Sequence, residues 1–171
     1  MAKERINPAT LSRAAAYTQV VTADGGKLVF LAGQTPIDTQ GQVVGVGDLR
    51  AQATQVYTNI RSGLAAAGAS YSDVVKMTAY IVNYNQDARG IVGEVRRQFV
   101  PDTDLPAHTL LGVQALAREE FLIEVDTIAV VDLDRGSRRP SPVKRAVAGG
   151  VVVLLGAAVT QGIRRLRGKR R

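Results

Sequence analysis

Apolar residues recur along the chain with the two periods that distinguish strands from helices. Two short β-rich runs, 17–23 and 27–33, flank Asp24-Gly25-Gly26, and this arrangement predicts a hairpin. The next run predicts a helix that begins after an Asp48 N-cap and ends at Gly68. Its apolar residues recur at steps of three and four: Leu49, Ala53, Val56, Ile60, Leu64 and Ala67.

The second half of the chain alternates in a similar way. Residues 74–82 predict a strand, residues 87–99 predict a helix, and residues 108–116 and 121–131 predict a final pair of strands. Positions 122, 124, 126 and 128 share one strand face, because strand side chains alternate. The resulting order, β-β-(β)-α-β-α-β-β, predicts an α+β fold in which helices pack on one face of a single sheet.

The composition changes sharply after this region, so we divide the chain at residue 133. Residues 134–145 are rich in Pro, Ser and Arg and predict a linker, residues 146–163 carry no charge, and residues 164–171 include six basic residues. As a helix, the uncharged segment would span about 27 Å, near the lower limit for a bilayer core. Three interpretations are open: a membrane-spanning segment, an interfacial or partner-docking segment, and a disordered nucleic-acid-binding tail.

Charge is divided unequally between these parts. Residues 1–134 hold 11 Lys and Arg against all 15 Asp and Glu, whereas residues 135–171 hold 11 Lys and Arg and no acid. A nucleic-acid groove across the main domain is therefore disfavoured. The absence of cysteine and the single histidine exclude disulfides and thiol nucleophiles and argue against a metal site, and we expect no cofactor. The charged N-terminus leads into no apolar segment, so we expect a cytoplasmic main domain.

Six short motifs occur in one order over residues 7–131. They are Tyr17-Thr18-Gln19, Ala32-Gly33-Gln34-Thr35-Pro36, Ala66-Ala67-Gly68-Ala69, Asp73-Val74-Val75-Lys76, Pro106-Ala107-His108-Thr109 and Ile123-Glu124-Val125-Asp126-Thr127-Ile128-Ala129. Together these motifs resemble the RidA/YjgF family. The resemblance implies a chorismate-mutase-like fold and a homotrimer with clefts between subunits. It also implies a small-molecule ligand, because archetypal members hydrolyse enamines and imines, such as 2-aminoacrylate, to 2-keto acids and ammonia.

The same resemblance assigns candidate roles to particular residues. In the family, an arginine after Pro-Ala grips the substrate carboxylate, and a glutamate on the last strand positions or activates water. Glu124 matches that glutamate and is the catalytic candidate. Tyr17 matches a cleft tyrosine, Gly33 matches a glycine whose backbone lies close to the ligand, and His108 and Thr109 occupy the region of the arginine.

Three positions depart from the family pattern. His108 replaces the arginine, Leu110 stands where a cysteine is frequent, and Gly93 stands where an asparagine is common. Guanidinium is a permanent two-pronged cation, whereas imidazole at its reference pKa is only roughly a quarter protonated at pH 7. Carboxylate anchoring is therefore the family role most in question, and the chain resembles the arginine-lacking branches.

Each candidate residue also has a purely structural interpretation. His108 contacts a ligand or is simply a hydrogen-bonded interfacial residue, and Tyr17 binds or packs. Glu124 and Asp126 lie about 7 Å apart along one strand face, where two acids raise each other's pKa. Glu124 is then a general acid/base or part of a solvated face, ion-paired for example with Arg118.

Two functions fit these observations. The first is a hydrolase of imines, enamines or related carbonyl compounds. The second is a non-catalytic, metabolite-binding trimer anchored to a membrane or a protein partner through residues 146–171. A ribonuclease activity finds no support in the acidic body.

Overall fold

The computed structural model describes residues 2–133, which contain two α-helices and six strands. The strands form one mixed sheet and one small separate sheet. The elements are β1 (Ala2–Ile6), β2 (Val20–Asp24), β3 (Lys27–Gln34), α1 (Leu49–Ala66), β4 (Val74–Val82), α2 (Gln86–Arg97), β5 (Ala107–Val113) and β6 (Ile123–Val131). The mixed sheet has the order β3-β6-β4-β5, in which β5 runs parallel to β4 and the other neighbours are antiparallel. The predicted linker, apolar segment and basic tail (134–145, 146–163 and 164–171) lie outside the described residues.

Both helices cover the same face of this sheet, which confirms the predicted α+β architecture. On β4 and β6, the side chains that point to this face are buried, and the alternate side chains are only half-buried except for Val130. The apolar stripes of α1 and α2 fill the space above them. The core residues from the helices and the two central strands are Ala53, Val56, Tyr57, Ile60, Leu64, Val74, Met77, Ala79, Ile81, Ala88, Val92, Val95, Ile123, Val125, Ala129 and Val131.

The ends of α1 follow from local chemistry. The Asp48 carboxylate accepts hydrogen bonds from the backbone N–H groups of Arg50 and Ala51, at 2.9 and 3.1 Å, and thereby confirms the predicted N-cap. Beyond the last turn, Gly68 has a φ of +74°, a conformation that glycine adopts without strain. Lys27 Nζ donates to the Ala67 carbonyl at 2.6 Å, which joins the helix end to the start of β3.

The pairing of three strands differs from the prediction. The predicted hairpin is wrong, because β2 pairs with β1 and β3 pairs with β6. The polar sequence of Ala2–Ile6 gives no strand signal, so the true partner of β2 could not be recognised. β5 and β6 are likewise not neighbours. The helix α2 connects β4 to β5 as a parallel crossover, and β6 then pairs on the other side of β4.

Within residues 2–133, no helix combines the length and the apolar character that crossing a membrane requires.

Candidate functional site

An open cleft of about 850 Å³ lies between α2, the beginning of β5 and segment 13–17. The chain after this segment is fixed to the start of β5, because the Thr18 backbone N–H donates to the Pro106 carbonyl and the Thr18 hydroxyl donates to the Leu105 carbonyl. These two bonds hold the end of segment 13–17 next to the start of β5. Its lining includes Tyr17, Gly93, His108 and Leu110, together with Arg13, Arg89, Arg96 and Arg97.

His108 points from β5 towards the helices. It is paired with the buried Met77 across parallel strands, so its side chain lies on the same face of the sheet. Its Nε2 atom is buried and has no hydrogen-bond partner among the described residues. Burial, and then the charges of Arg96 and Lys76, lower the pKa of His108 to about 4. The imidazole is therefore uncharged at neutral pH, and the permanent cation of the family pattern has no substitute at position 108.

Arg96 lies close by and is the least expected group in the cleft. Its side chain is only 5% exposed, and its Nη1 atom is buried without a hydrogen-bond partner in the described part of the chain. Burial lowers its pKa, but an arginine stays protonated in proteins. Sequence reasoning missed this residue, although a signal existed. Arg96 follows Ala88 and Val92 at helical spacing, where an apolar side chain is expected.

The rest of the lining adds positive charge. Arg13, Arg89 and Arg97 are exposed at the edges of the cleft. Glu94 is the acidic residue of the lining, and its carboxylate is already bonded to Arg50 at 2.6 Å, which lowers the pKa of Glu94. The cleft therefore has an excess of positive charge and suits an anionic ligand. Elsewhere within residues 2–133, histidine and acidic side chains nowhere gather in the groups of three that could hold a metal ion.

Glu124 lies on the opposite, uncovered face of the sheet. It is paired with Tyr80 across β4 and β6, and the Tyr80 hydroxyl donates to Asp126 at 2.9 Å. Burial, and then the charge of Asp126, raise the pKa of Glu124. No ion pair joins Glu124 to Arg118, whose guanidinium instead lies 5.5 Å from the centre of the Phe121 ring. A carboxylate with a raised pKa accepts a proton more readily than an ordinary glutamate does.

Gly33 is in close contact with this carboxyl. A Cβ atom built on Gly33 would lie 2.9 Å from Cδ of Glu124 and would overlap its carboxylate oxygen. The missing side chain of Gly33 thus leaves the space that the Glu124 carboxylate occupies.

The candidate residues consequently fall into two sets. Tyr17 and His108 line the cleft on the helix-covered side, and Thr109 also contributes to its lining. Gly33 and Glu124 meet on the uncovered side, and there the Thr109 hydroxyl accepts a hydrogen bond from Lys76. One protomer alone does not bring His108 and Glu124 into a common site.

The uncovered face also carries large apolar side chains. Leu28 and Phe30 on β3 are 61% and 70% exposed, and Leu111 on β5 is 41% exposed. Isolated exposed apolar residues are normal on protein surfaces, but several on one sheet face indicate an interaction surface.

Comparisons with known proteins agree with this architecture. The family model described as Endoribonuclease L-PSP matches residues 8–131. Protein DfrA of Myxococcus xanthus is 38% identical over 114 residues, which make up 67% of this chain and 84% of DfrA. The 2-iminobutanoate/2-iminopropanoate deaminase of Dermatophagoides farinae is 30% identical over 116 residues, 68% of this chain and 86% of the deaminase. The crystal structure of the Rid-family protein YyfB from Yersinia pestis matches with a TM-score of 0.70 at 32% identity, and the match covers 77% of this chain and 100% of YyfB. The chain therefore belongs to the RidA/YjgF family.

Proposed function

We propose that this protein hydrolyses small imines or enamines in clefts formed where protomers meet. The observation that carries the proposal is the Glu124 carboxyl, which has a raised pKa and packs against the bare backbone of Gly33 on a sheet face with exposed apolar residues. A family relative is named as a deaminase of 2-imino acids, which supports the reaction class.

The chemistry needs one proton-exchanging group. The imine nitrogen first takes a proton from the protonated Glu124. Water then adds to the carbon of the C=N bond while the Glu124 carboxylate accepts a proton from the water, and a neutral carbinolamine forms. Glu124 gives this proton to the carbinolamine nitrogen. As the C–N bond breaks and ammonia leaves, the Glu124 carboxylate takes the hydroxyl proton and the C=O bond forms. The balance is one imine and one water consumed, and one carbonyl compound and one ammonia released. An enamine first takes a proton on carbon and then follows the same route.

Assembly supplies the second half of the site. We propose a homotrimer in which the uncovered sheet face of one protomer packs against its neighbour, so that Leu28 and Phe30 become buried. β5 is an edge strand of the sheet, and β3 is the opposite edge. Contact between unlike edges of neighbouring protomers would bring His108 and Tyr17 of one subunit to Gly33 and Glu124 of the next.

The first experiment measures ammonia release from 2-iminopropanoate generated in situ. We expect Glu124→Gln to lower turnover at least a hundredfold while the trimer and the melting temperature stay unchanged. Glu120→Gln, at an exposed position before β6, is the matched control and should keep wild-type turnover. Equal turnover in wild type and Glu124→Gln would refute the role of Glu124.

A second experiment tests whether the site is shared. Glu124→Gln and His108→Glu, each inactive alone, are co-expressed in equal amounts with different tags. Random trimers should recover about a quarter of wild-type activity, because that fraction of clefts draws both intact residues from different protomers. Absence of recovery in verified mixed trimers would place the site within one protomer.

The second candidate function is a metabolite-binding trimer anchored by its tail. It is favoured by the pattern of residues 146–163, which are uncharged and lie between clusters of basic residues. We propose that three such tails attach a cytoplasmic assembly to an anionic membrane or to a protein partner. Removal of residues 135–171 should leave cleft binding intact and release the protein from anionic vesicles. If the full-length protein does not bind these vesicles and no protein partner co-purifies with it, the anchoring proposal fails.

A further inference from the structure

Arg96 is a buried cation with a guanidinium nitrogen that has no hydrogen-bond partner among the described residues. A guanidinium that leaves water without a partner loses its solvation and gains nothing in return, so such groups are normally paired in proteins. Nη1 of Arg96 lacks a partner within the described residues, and Arg96 forms part of the wall of the cleft. The nearby charged or titratable groups that act on it are Tyr57, Arg97 and the exposed Asp102. None of these supplies a bonded carboxylate.

A second orphaned atom lines the same cleft. Nε2 of His108 is also buried and without a partner in the described chain. The pKa of His108 is lowered to about 4 by burial and then by the charge of Arg96, so the two side chains lie close enough to interact electrostatically. At pH 7 only Arg96 is charged. A neutral imidazole with hydrogen on Nε2 donates one hydrogen bond to a carboxylate oxygen. Two buried nitrogen atoms without partners, one of them on a permanent cation, therefore belong to residues that line one cleft.

We propose that Arg96 is the residue that holds the ligand carboxylate in this cleft, with Nε2 of His108 as the second donor. The fixed cation that the family resemblance expects on β5 thus stands on α2 in this chain. The proposal rests on the proposed function only for the kind of ligand, a small 2-oxo or 2-imino acid. The exposed Arg13, Arg89 and Arg97 surround the cleft, attract anions from solution, and contribute less to the bound state because water screens them.

The test uses pyruvate as the carboxylate probe and pyruvamide as its neutral counterpart, both added to the full-length protein and followed by NMR or calorimetry. We expect pyruvate to bind and pyruvamide to bind at least tenfold more weakly. Arg96→Gln should weaken pyruvate binding at least tenfold, because a charge-assisted hydrogen bond is lost. Arg97→Gln is the matched control, since it removes an exposed arginine from the same cleft and the same helix, and it should change affinity less than threefold. Arg96→Lys should restore part of the affinity.

Several results would overturn the proposal. Equal effects of Arg96→Gln and Arg97→Gln would show general attraction rather than a defined contact. Binding of inorganic phosphate but not of pyruvate would refute the carboxylate assignment. Dissociation of the assembly by both Arg96→Gln and Arg96→Lys would show that Arg96 holds a neighbouring subunit. Arg96-dependent pyruvate binding without any imine turnover would support this proposal while the proposed function fails, and turnover without Arg96-dependent binding would show the reverse.

Discussion

The neutral, buried state of His108 predicts a specific dependence of stability on pH. The pKa of this imidazole is about 4 in the folded chain, against about 6.5 when unfolded. A histidine with a depressed folded-state pKa binds its proton more readily in the unfolded state, so acidification below about pH 6.5 favours unfolding. At about 1.4 kcal/mol per pKa unit, the full difference is about 3.5 kcal/mol. Between pH 7 and pH 5 it amounts to about 2 kcal/mol, and partial solvent exposure reduces this to about 1–2 kcal/mol.

The comparison of wild type with His108→Gln isolates this contribution. The chain has one histidine, so no other imidazole titrates in this range. Glu124 has a raised pKa, which acts in the opposite direction, but it contributes equally to both proteins and cancels in the difference. The free energy of unfolding, measured by urea titration at fixed protein concentration, should fall by about 1–2 kcal/mol more in wild type than in His108→Gln between pH 7 and pH 5.

NMR provides an independent reading of the same property. The single histidine gives one Cε1–H signal, and its chemical shift should titrate with a midpoint near pH 4 rather than 6.5. A midpoint at 6.5, or equal pH slopes for wild type and variant, would refute the burial argument.

Three further changes test other parts of the structure. Gly33→Ala should displace the Glu124 carboxylate and lower turnover at least tenfold, with a small change in melting temperature, because the displaced group is the end of a flexible side chain; a large loss of melting temperature would contradict this. Gln52 is fully buried, and its side chain donates to the carbonyls of Gly45 and Glu120 and accepts from the Leu122 N–H. Gln52→Leu should therefore lower the free energy of unfolding, measured by urea titration, by about 2–4 kcal/mol. A loss below about 1 kcal/mol would contradict a stabilising role for these hydrogen bonds. Asp48→Ala removes the N-cap of α1 and should cost about 1 kcal/mol, whereas Asp48→Asn should keep most of the stability; equal losses would show that the cap bonds do not matter.

Local features of the fold could be predicted from the sequence because their causes are local. The strand Val74–Val82 and the Asp48 cap depend on alternation and on one side chain next to the helix start. Strand pairing was not predictable in the same way. β1 is polar and pairs with β2, and it also contacts a distant part of the chain through the Lys3–Asp73 ion pair, which spans 70 positions.

The candidate site shows the same limit. Residue identity at positions 108 and 124 could be compared with a family pattern, but the face to which each side chain points depends on the register of both strands against β4. The sequence did not predict Arg96 as a site residue, because the family resemblance assigned no role to its position and a charged side chain on a helix usually points to solvent. Only the packing of α2 against the sheet shows that this side chain is buried.

The place of Arg96 in the apolar stripe of α2 links occupancy of the cleft to the lifetime of the protein. An anion that neutralises this charge removes a cost from the folded state alone, so it stabilises the fold by an amount that rises with the logarithm of its concentration above the dissociation constant. The bound ligand then supplies the negative charge that the buried Arg96 side chain lacks among the described residues. A cell in which the metabolite accumulates would retain more of this protein, and one depleted of it would lose the protein faster to proteolysis.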